Sequence, residues 1–349
     1  MLFKIIFEPA AIVSVFALGT IINRRKASTP AEASDDIDEA IVTPDSESST
    51  DSEDTVYKYG TVTESSVPKH RKAIHSRLLN YFPFLMEIWY WLLTYWIYQG
   101  LRAISARAIA GNEAIFHQAY IHATQILWLE HLLHIDVELS VQRFVLEKAP
   151  WLMSILARIY HSHIILGVVF LVYCYTFIPR WRYQNIRRTL AMENVIAFVI
   201  ITAWRCMPPR LLPEEYGFID VLHDGNNSGS DWTQNKFQLT IAAMPSLHFG
   251  NSLFVAFCLC RFSPHLILRL IAPLWPTAML LTVVATANHF LLDAFVGACV
   301  LAAAWRWNRV ILILLPIEDF LFRVLRLDKP EDPNDGNIET LQPLLGERE

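Results

Sequence analysis

The chain has 349 residues, 53% of them hydrophobic and 18% charged, with a formal net charge of −5 and a positive mean hydropathy. Its apolar residues are gathered in long runs, which excludes an ordinary soluble domain and indicates a polytopic membrane protein. The acid is concentrated in one segment and the arginines cluster at the ends of hydrophobic runs, so a nucleic-acid-binding surface is excluded as well.

The first run, about Ile5 to Ile22, has Lys4, Glu8 and Pro9 near its start and Asn23-Arg24-Arg25-Lys26 behind it. Because the positive cluster follows the run, residues 1–26 read as an anchor with its N-terminus outside more readily than as a cleaved signal. Residues 27–77 form a linker, acidic and then basic. Its part from Ala27 to Pro68 has almost no aromatic residues and is expected to be disordered. Lys69-His70-Arg71-Lys72 and Arg77 then place the start of a Trp- and Tyr-rich span, about Tyr81 to Tyr98, in the cytosol. Residues 101–148 mix Arg102, Glu113, His117, His122, Glu130, His131, His134 and Glu138 with apolar residues at helical spacing, and are expected to form interfacial amphipathic helices. The histidines here show no tight ligand pairing of the kind a metal needs.

The next span, Trp151 to about Ile178, carries Tyr160, His161 and His163 in its outer half. Four arginines between Arg180 and Arg188 mark a cytosolic loop. From Thr189 the chain climbs again, and Pro208-Pro209 end that helix on the outer side. A polar loop, Glu214 to Thr240, contains the sequon Asn226-Asn227-Ser228. Leu247 to Phe262 reads as a descending helix, Leu266 to about Ala287 as a returning one bent by Pro273 and Pro276, and His289 to about Trp305 as the last span before Arg306 and Arg309. The predicted fold is all-α: a polytopic bundle of about six core transmembrane helices with an N-terminal anchor and interfacial helices. Residues 78–320 form the transmembrane domain and 321–349 a cytosolic tail. Cys174, Cys206, Cys258, Cys260 and Cys299 lack ligand spacing and read as small apolar residues.

This count of spans was fixed by positive charge alone, and it brings Arg210, His248 and His289 to one outer face. Asp293 follows His289 by four residues, so the carboxylate is expected to hold one ring nitrogen and leave the other facing a substrate, the arrangement of an oriented histidine nucleophile or base. Ser246 and the amides after Pro245 lie at a helix N-terminus, where a phosphate is favoured. Arg210 offers planar, bidentate recognition of phosphoryl oxygens, with Arg205 as an assisting cation.

Ala243-Met244-Pro245-Ser246-Leu247-His248, Asn288-His289-Phe290-Leu291-Leu292-Asp293 with Gly297, and Pro208-Pro209-Arg210 followed by Gly217-Phe218-Ile219-Asp220 together resemble the type 2 phosphatidic acid phosphatase superfamily. Within it they look like the fungal-type, inositol-phosphorylceramide-synthase-like (inositolphosphotransferase) branch, which Leu129-Glu130-His131, Glu138 and Gln142 also resemble more weakly. The resemblance covers roughly Glu130 to Leu315. It implies that His248 protonates the leaving group and that His289 attacks phosphorus to form a phosphohistidine held in place by Asp293. Arg210, Ser246 and Arg205 would bind phosphate, and neither metal nor cofactor is required. The chain departs from the phosphatase pattern: Ala203 and Leu211 replace the Lys and Pro of a Lys-x6-Arg-Pro motif around Arg210. Thr282 and Val283 stand where Ser-Arg is usual, and Leu247 replaces a glycine. The last two departures are similar to the sphingolipid-synthase-like branch, which favours transfer to an alcohol over hydrolysis.

The implied function is lipid phosphoester transfer, on a phospholipid or sphingolipid in the bilayer, from an endomembrane such as the Golgi or endoplasmic reticulum with the site facing the lumen or exterior. A lipid phosphate phosphatase using water is the near alternative. A proton-relaying transporter would use the same His and Asp residues, but no inverted repeat is visible in the sequence. A non-catalytic scaffold is the remaining class, against which the intact His248, His289 and Asp293 set argues.

Overall fold

The computed structural model describes residues 2–25, 74–222 and 240–327. Most of the linker, the Asn226 sequon and the tail beyond Leu327 lie outside the described residues. The described chain is helical, without a strand; a single β-bridge joins Cys206 to Ala242. One compact unit comprises Met1–Asn23 and Phe84–Ile317. Its helices are α1 (Leu2–Ile22), α3 (Phe84–Ile109), α4 (Glu113–Leu132), α5 (Glu138–Lys148), α6 (Pro150–Phe177), α7 (Arg180–Ala203), α8 (Leu247–Phe262), α9 (Leu266–Ile271), α10 (Leu274–Ala285) and α11 (Leu291–Trp307). The second unit, Arg24–Pro83 and Glu318–Glu349, contains α2 (Ile74–Tyr81), whose last carbonyl accepts from the Arg25 amide at 2.9 Å.

Three helical stretches are long and apolar enough to cross a membrane: Pro150–Phe177, Leu266–Ala285 and Leu291–Val324. Glu8–Ile22 and Leu247–Phe262 are shorter apolar helices. At 16 residues α8 is about 24 Å long, less than the roughly 30 Å hydrocarbon thickness of a bilayer. It is nevertheless the centre of the unit, packing against α6, α7, α10 and α11. Phe254 and Cys258 of α8 lie fully buried with Tyr175, Tyr183 and Ile186. The close approach of α8 to α11 depends on two glycines. A Cβ on Gly297 would stand 2.5 Å from the Ser246 carbonyl oxygen, and one on Gly250 would stand 3.2 Å from that of Gly297.

Several expected boundaries differ. The first Trp-rich span does not stop near Tyr98: α3 runs on through Arg102 and Arg107 to Ile109, because nothing breaks it before Gly111, which has φ +76°. The arginines at 180–188 are not a loop but the first turns of α7, whose start is set by Pro179 and in which arginine is a good helix former. There Arg187 pairs with Glu87 at 2.7 Å, and the Arg180 guanidinium lies 3.3 Å over the Tyr175 ring. The returning helix is interrupted where a bend was expected, at Ala272-Pro273 between α9 and α10, although both residues keep helical dihedrals.

Candidate active site

Ser246 begins α8. Its hydroxyl accepts from the Phe249 amide at 3.4 Å, and its own amide donates to the Asp293 carbonyl at 2.9 Å. Ser246 is the N-cap of the helix; its side chain is fully buried, and Pro245, Leu247 and His248 around it line the cavity. His248, the second residue of α8, stacks on Tyr160 with centroids 4.4 Å apart and 22° between planes. His163 meets it edge-on at 4.4 Å, and the His289 ring lies 5.8 Å away.

His289 sits in the turn between α10 and α11. Its Nδ1 lies 2.6 Å from the backbone carbonyl of Ala243. A carbonyl only accepts, so Nδ1 carries the proton and Nε2 keeps its lone pair. Asp293 does not make the expected hydrogen bond to His289: its Oδ2 is 3.6 Å from Nδ1 and accepts instead from the Phe290 amide at 2.9 Å. The reason is local. His289 precedes the helix that holds Asp293, so the two are not one turn apart on a helical face. Asp293 becomes the third residue of α11 and caps it, while its charge stays close to the imidazole.

Two more carboxylates close the same helix end. Glu138 Oε1 accepts from the Leu291 amide and Glu130 Oε1 from the Leu292 amide, each at 2.7 Å. Both side chains are buried, and the remaining Oε2 of each has no hydrogen-bond partner. Burial, and then the neighbouring Glu138 charge, push the Glu130 carboxyl up to about 9. The amphipathic region 101–148 thus supplies, from α4 and α5, the clamp that fixes the His289 turn.

Arg210 is held on three sides. Its amide donates to the Ala287 carbonyl at 2.9 Å, Nε donates to Asn288 Oδ1 at 3.0 Å, and one terminal nitrogen pairs with Asp220 at 2.7 Å. Gly217, with φ +75°, turns the chain that brings Asp220 back. Arg205 is placed elsewhere. Its guanidinium donates to Ser105 Oγ of α3 at 3.0 Å, its carbonyl lies 2.7 Å from His122 Nδ1, and it is not among the residues that line the cavity. Trp204 stacks on His122 and holds the segment there.

Arg210, His248, His289 and Asn288 share a cavity of about 370 Å³ that extends along α3, α6 and α8 to Trp91, Phe170 and Val255. Tyr160, His161 and His163 line it too, as does Arg102 of α3. Among the described residues there is no cluster of three or more His, Cys, Asp or Glu side chains able to hold a metal ion. The histidines of α4 are dispersed: His122 stacks on Trp204, and His131 pairs with Asp136 in solvent. Sequence reasoning named Tyr160, Glu130, Glu138 and Arg102 but gave Tyr160 no role in the site, linked the two glutamates to the family only by resemblance, and read Arg102 as part of an amphipathic region. For Arg102 a signal existed in the sequence, since Thr94, Tyr98 and Arg102 recur at intervals of four along an otherwise apolar helix.

A family model described as the PAP2 superfamily matches residues 124–307, from within α4 to the end of α11. The chain belongs to the PAP2 superfamily. No curated protein and no solved structure matches it. Membership in the PAP2 superfamily supports an enzyme of the lipid phosphatase or phosphotransferase type, and the matched residues include Arg210, His248, His289, Asp293 and both clamp glutamates. The all-α membrane bundle is that of a PAP2 protein.

Proposed function

We propose that the protein is a membrane-embedded lipid phosphoester transferase working through a phosphohistidine at His289, and that it passes a phospho-head group to an alcohol on a lipid acceptor. The observation that carries this reading is the 2.6 Å contact of His289 Nδ1 with the Ala243 carbonyl, which makes Nδ1 the donor and Nε2 the lone-pair nitrogen of the neutral ring, beside a second imidazole in a cavity that also holds Arg210. Nε2 attacks phosphorus and forms an N–P bond. As the bond from phosphorus to the leaving oxygen breaks, protonated His248 gives that oxygen its proton. Neutral His248 then takes the proton of the acceptor hydroxyl, whose oxygen attacks phosphorus and frees His289. Arg210 neutralises charge on the equatorial oxygens, and Asp293 stabilises the charged imidazole.

Transfer rather than hydrolysis is favoured by Thr282 and Val283 in place of Ser-Arg and by the apolar end of the cavity at Trp91, Phe170 and Val255, which suits a lipid acceptor. The substrate in this reading is a phospholipid such as phosphatidylinositol, and the acceptor a sphingolipid alcohol such as ceramide. The basic ends of α7 and α8 lie at the end of the bundle away from His248, which supports a site facing the lumen of an endomembrane.

The test is turnover by purified protein of phosphatidic acid, and of phosphatidylinositol with ceramide, each beside His289→Ala and with chelator present. Acceptor-dependent head-group transfer, an acid-labile phosphoprotein intermediate and loss of both in the variant are expected. Release of inorganic phosphate from phosphatidic acid would make water the acceptor, and turnover that survives His289→Ala would sink the phosphohistidine.

A further inference from the structure

The site needs more positive charge than the residues so far described supply. Arg210 is already paired with Asp220 at 2.7 Å, and Arg205 is turned to Ser105. The position seven residues before Arg210, where the phosphatase pattern has a lysine, is Ala203. An anionic phosphoester entering the cavity would therefore face one guanidinium whose charge a carboxylate already offsets.

Arg102 answers this deficit. It lies on α3 and lines the cavity that contains His248, His289 and Arg210. Its Nε is buried without a hydrogen-bond partner, and the guanidinium lies 5.7 Å from the centre of the Tyr98 ring. A guanidinium nitrogen buried without a partner is costly unless an anion or another acceptor completes it. Snorkelling to the membrane surface would account for an arginine on the outside of the helix. Exposed Arg107, five residues on and outside the cavity, is that case; Arg102 is not.

We infer that Arg102 is the second phosphate-binding cation of this site, supplied by α3 in place of the lysine that the segment before Arg210 lacks. The inference rests on the phosphoryl-transfer reading of the cavity. A guanidinium offers several donors in a plane, so Arg102 and Arg210 would hold the non-bridging oxygens from two sides while His289 and His248 act along the line of displacement.

Orthovanadate, which adopts the five-coordinate geometry of phosphoryl transfer, is the probe. Its affinity for the purified full-length protein in detergent is measured by calorimetry for wild type, Arg102→Gln, Arg102→Met and Arg107→Gln, with the melting temperature of each recorded. Loss of a charge-assisted contact predicts an affinity roughly tenfold or more weaker for both Arg102 variants. Arg107→Gln stays within twofold. Arg102→Met keeps the length and apolar packing of the stem, so it gives the answer where the Gln variant fails to accumulate. Wild-type affinity in a folded Arg102 variant, equal weakening by Arg107→Gln, or no vanadate binding by wild type overturns the assignment. Turnover surviving in His289→Ala would instead refute the phosphohistidine and leave the vanadate comparison standing.

Discussion

Gly297→Ala tests whether the seam between α8 and α11 sets the alignment of the two histidines. The added Cβ would stand 2.5 Å from the Ser246 oxygen, and ordinary contact begins at 3.4 Å, so the two helix ends must separate by about 0.9 Å. The obstacle is backbone and has no rotamer with which to evade. Overpacking of this kind costs about 1–3 kcal/mol, and alanine's better helix propensity returns about 1 kcal/mol. The melting temperature should therefore fall by only a few degrees. Catalysis is more sensitive. Ser246 is two residues before His248, its amide bonds the Asp293 carbonyl, and Asp293 caps the turn that carries His289. A shift near 1 Å between reacting groups lowers turnover by about a hundredfold. Lipid phosphoester turnover and thermal melting are measured side by side, with Gly100→Ala as the control because no atom lies within 4 Å of its added Cβ. Wild-type turnover in Gly297→Ala would refute the argument that this close approach positions the site.

Ser246→Ala removes a helix cap, so it should cost about 1 kcal/mol of stability while turnover stays within about threefold; a hundredfold loss at unchanged melting temperature would instead make Ser246 a phosphate contact. Glu130 keeps its proton in the fold up to about 9 but releases it near 4.5 when exposed, so the folded state binds the extra proton between those values. Its contribution is complete below about 4.5 and is lost as pH rises toward 9. Wild-type melting temperature should fall across that window, and Glu130→Gln, which still accepts from the Leu292 amide, should flatten the fall; parallel curves for the two proteins would contradict it.

The helices that carry the histidines were legible because their signals are local. Pro245-Ser246 before an apolar run and Arg261 with Pro264 after it give α8 its ends, and the structure places them at Leu247 and Phe262. The meeting of His248, His289 and Arg210 was legible from counting spans by charge. What holds His289 was not, because its partner is a backbone carbonyl, and a carbonyl leaves no trace in residue type. Spacing pointed to Asp293 only on the assumption of one continuous helix from 289 to 293, and the helix starts at Leu291. Glu130 and Glu138 looked like the polar face of interfacial helices, since periodicity reveals a polar stripe and not what faces it. Proximity to Arg210 in sequence favoured Arg205 as the assisting cation, whereas the arginine that lines the cavity beside Arg210 is Arg102, from a helix more than a hundred residues earlier.

Two helix N-termini meet at the seam, and they are finished in opposite ways. At α11 the amides of Phe290, Leu291 and Leu292 are each taken by a carboxylate, from Asp293, Glu138 and Glu130. That end is closed to an anion, both because its donors are used and because the surrounding acid repels a phosphate. At α8 the hydroxyl of Ser246 takes only the Phe249 amide. The amides of Leu247 and His248, first in the helix, have no carbonyl one turn behind them, and both residues line the cavity. In the proposed reaction the positive end of α8, with His248 in its first turn and His289 across from it, is the one that would face the phosphoryl group. Under the proposed reaction, the carboxylates at α11 do more than fix the turn. They leave α8 as the helix end that can hold the phosphate, and so place phosphorus between the nucleophile and the acid rather than behind His289.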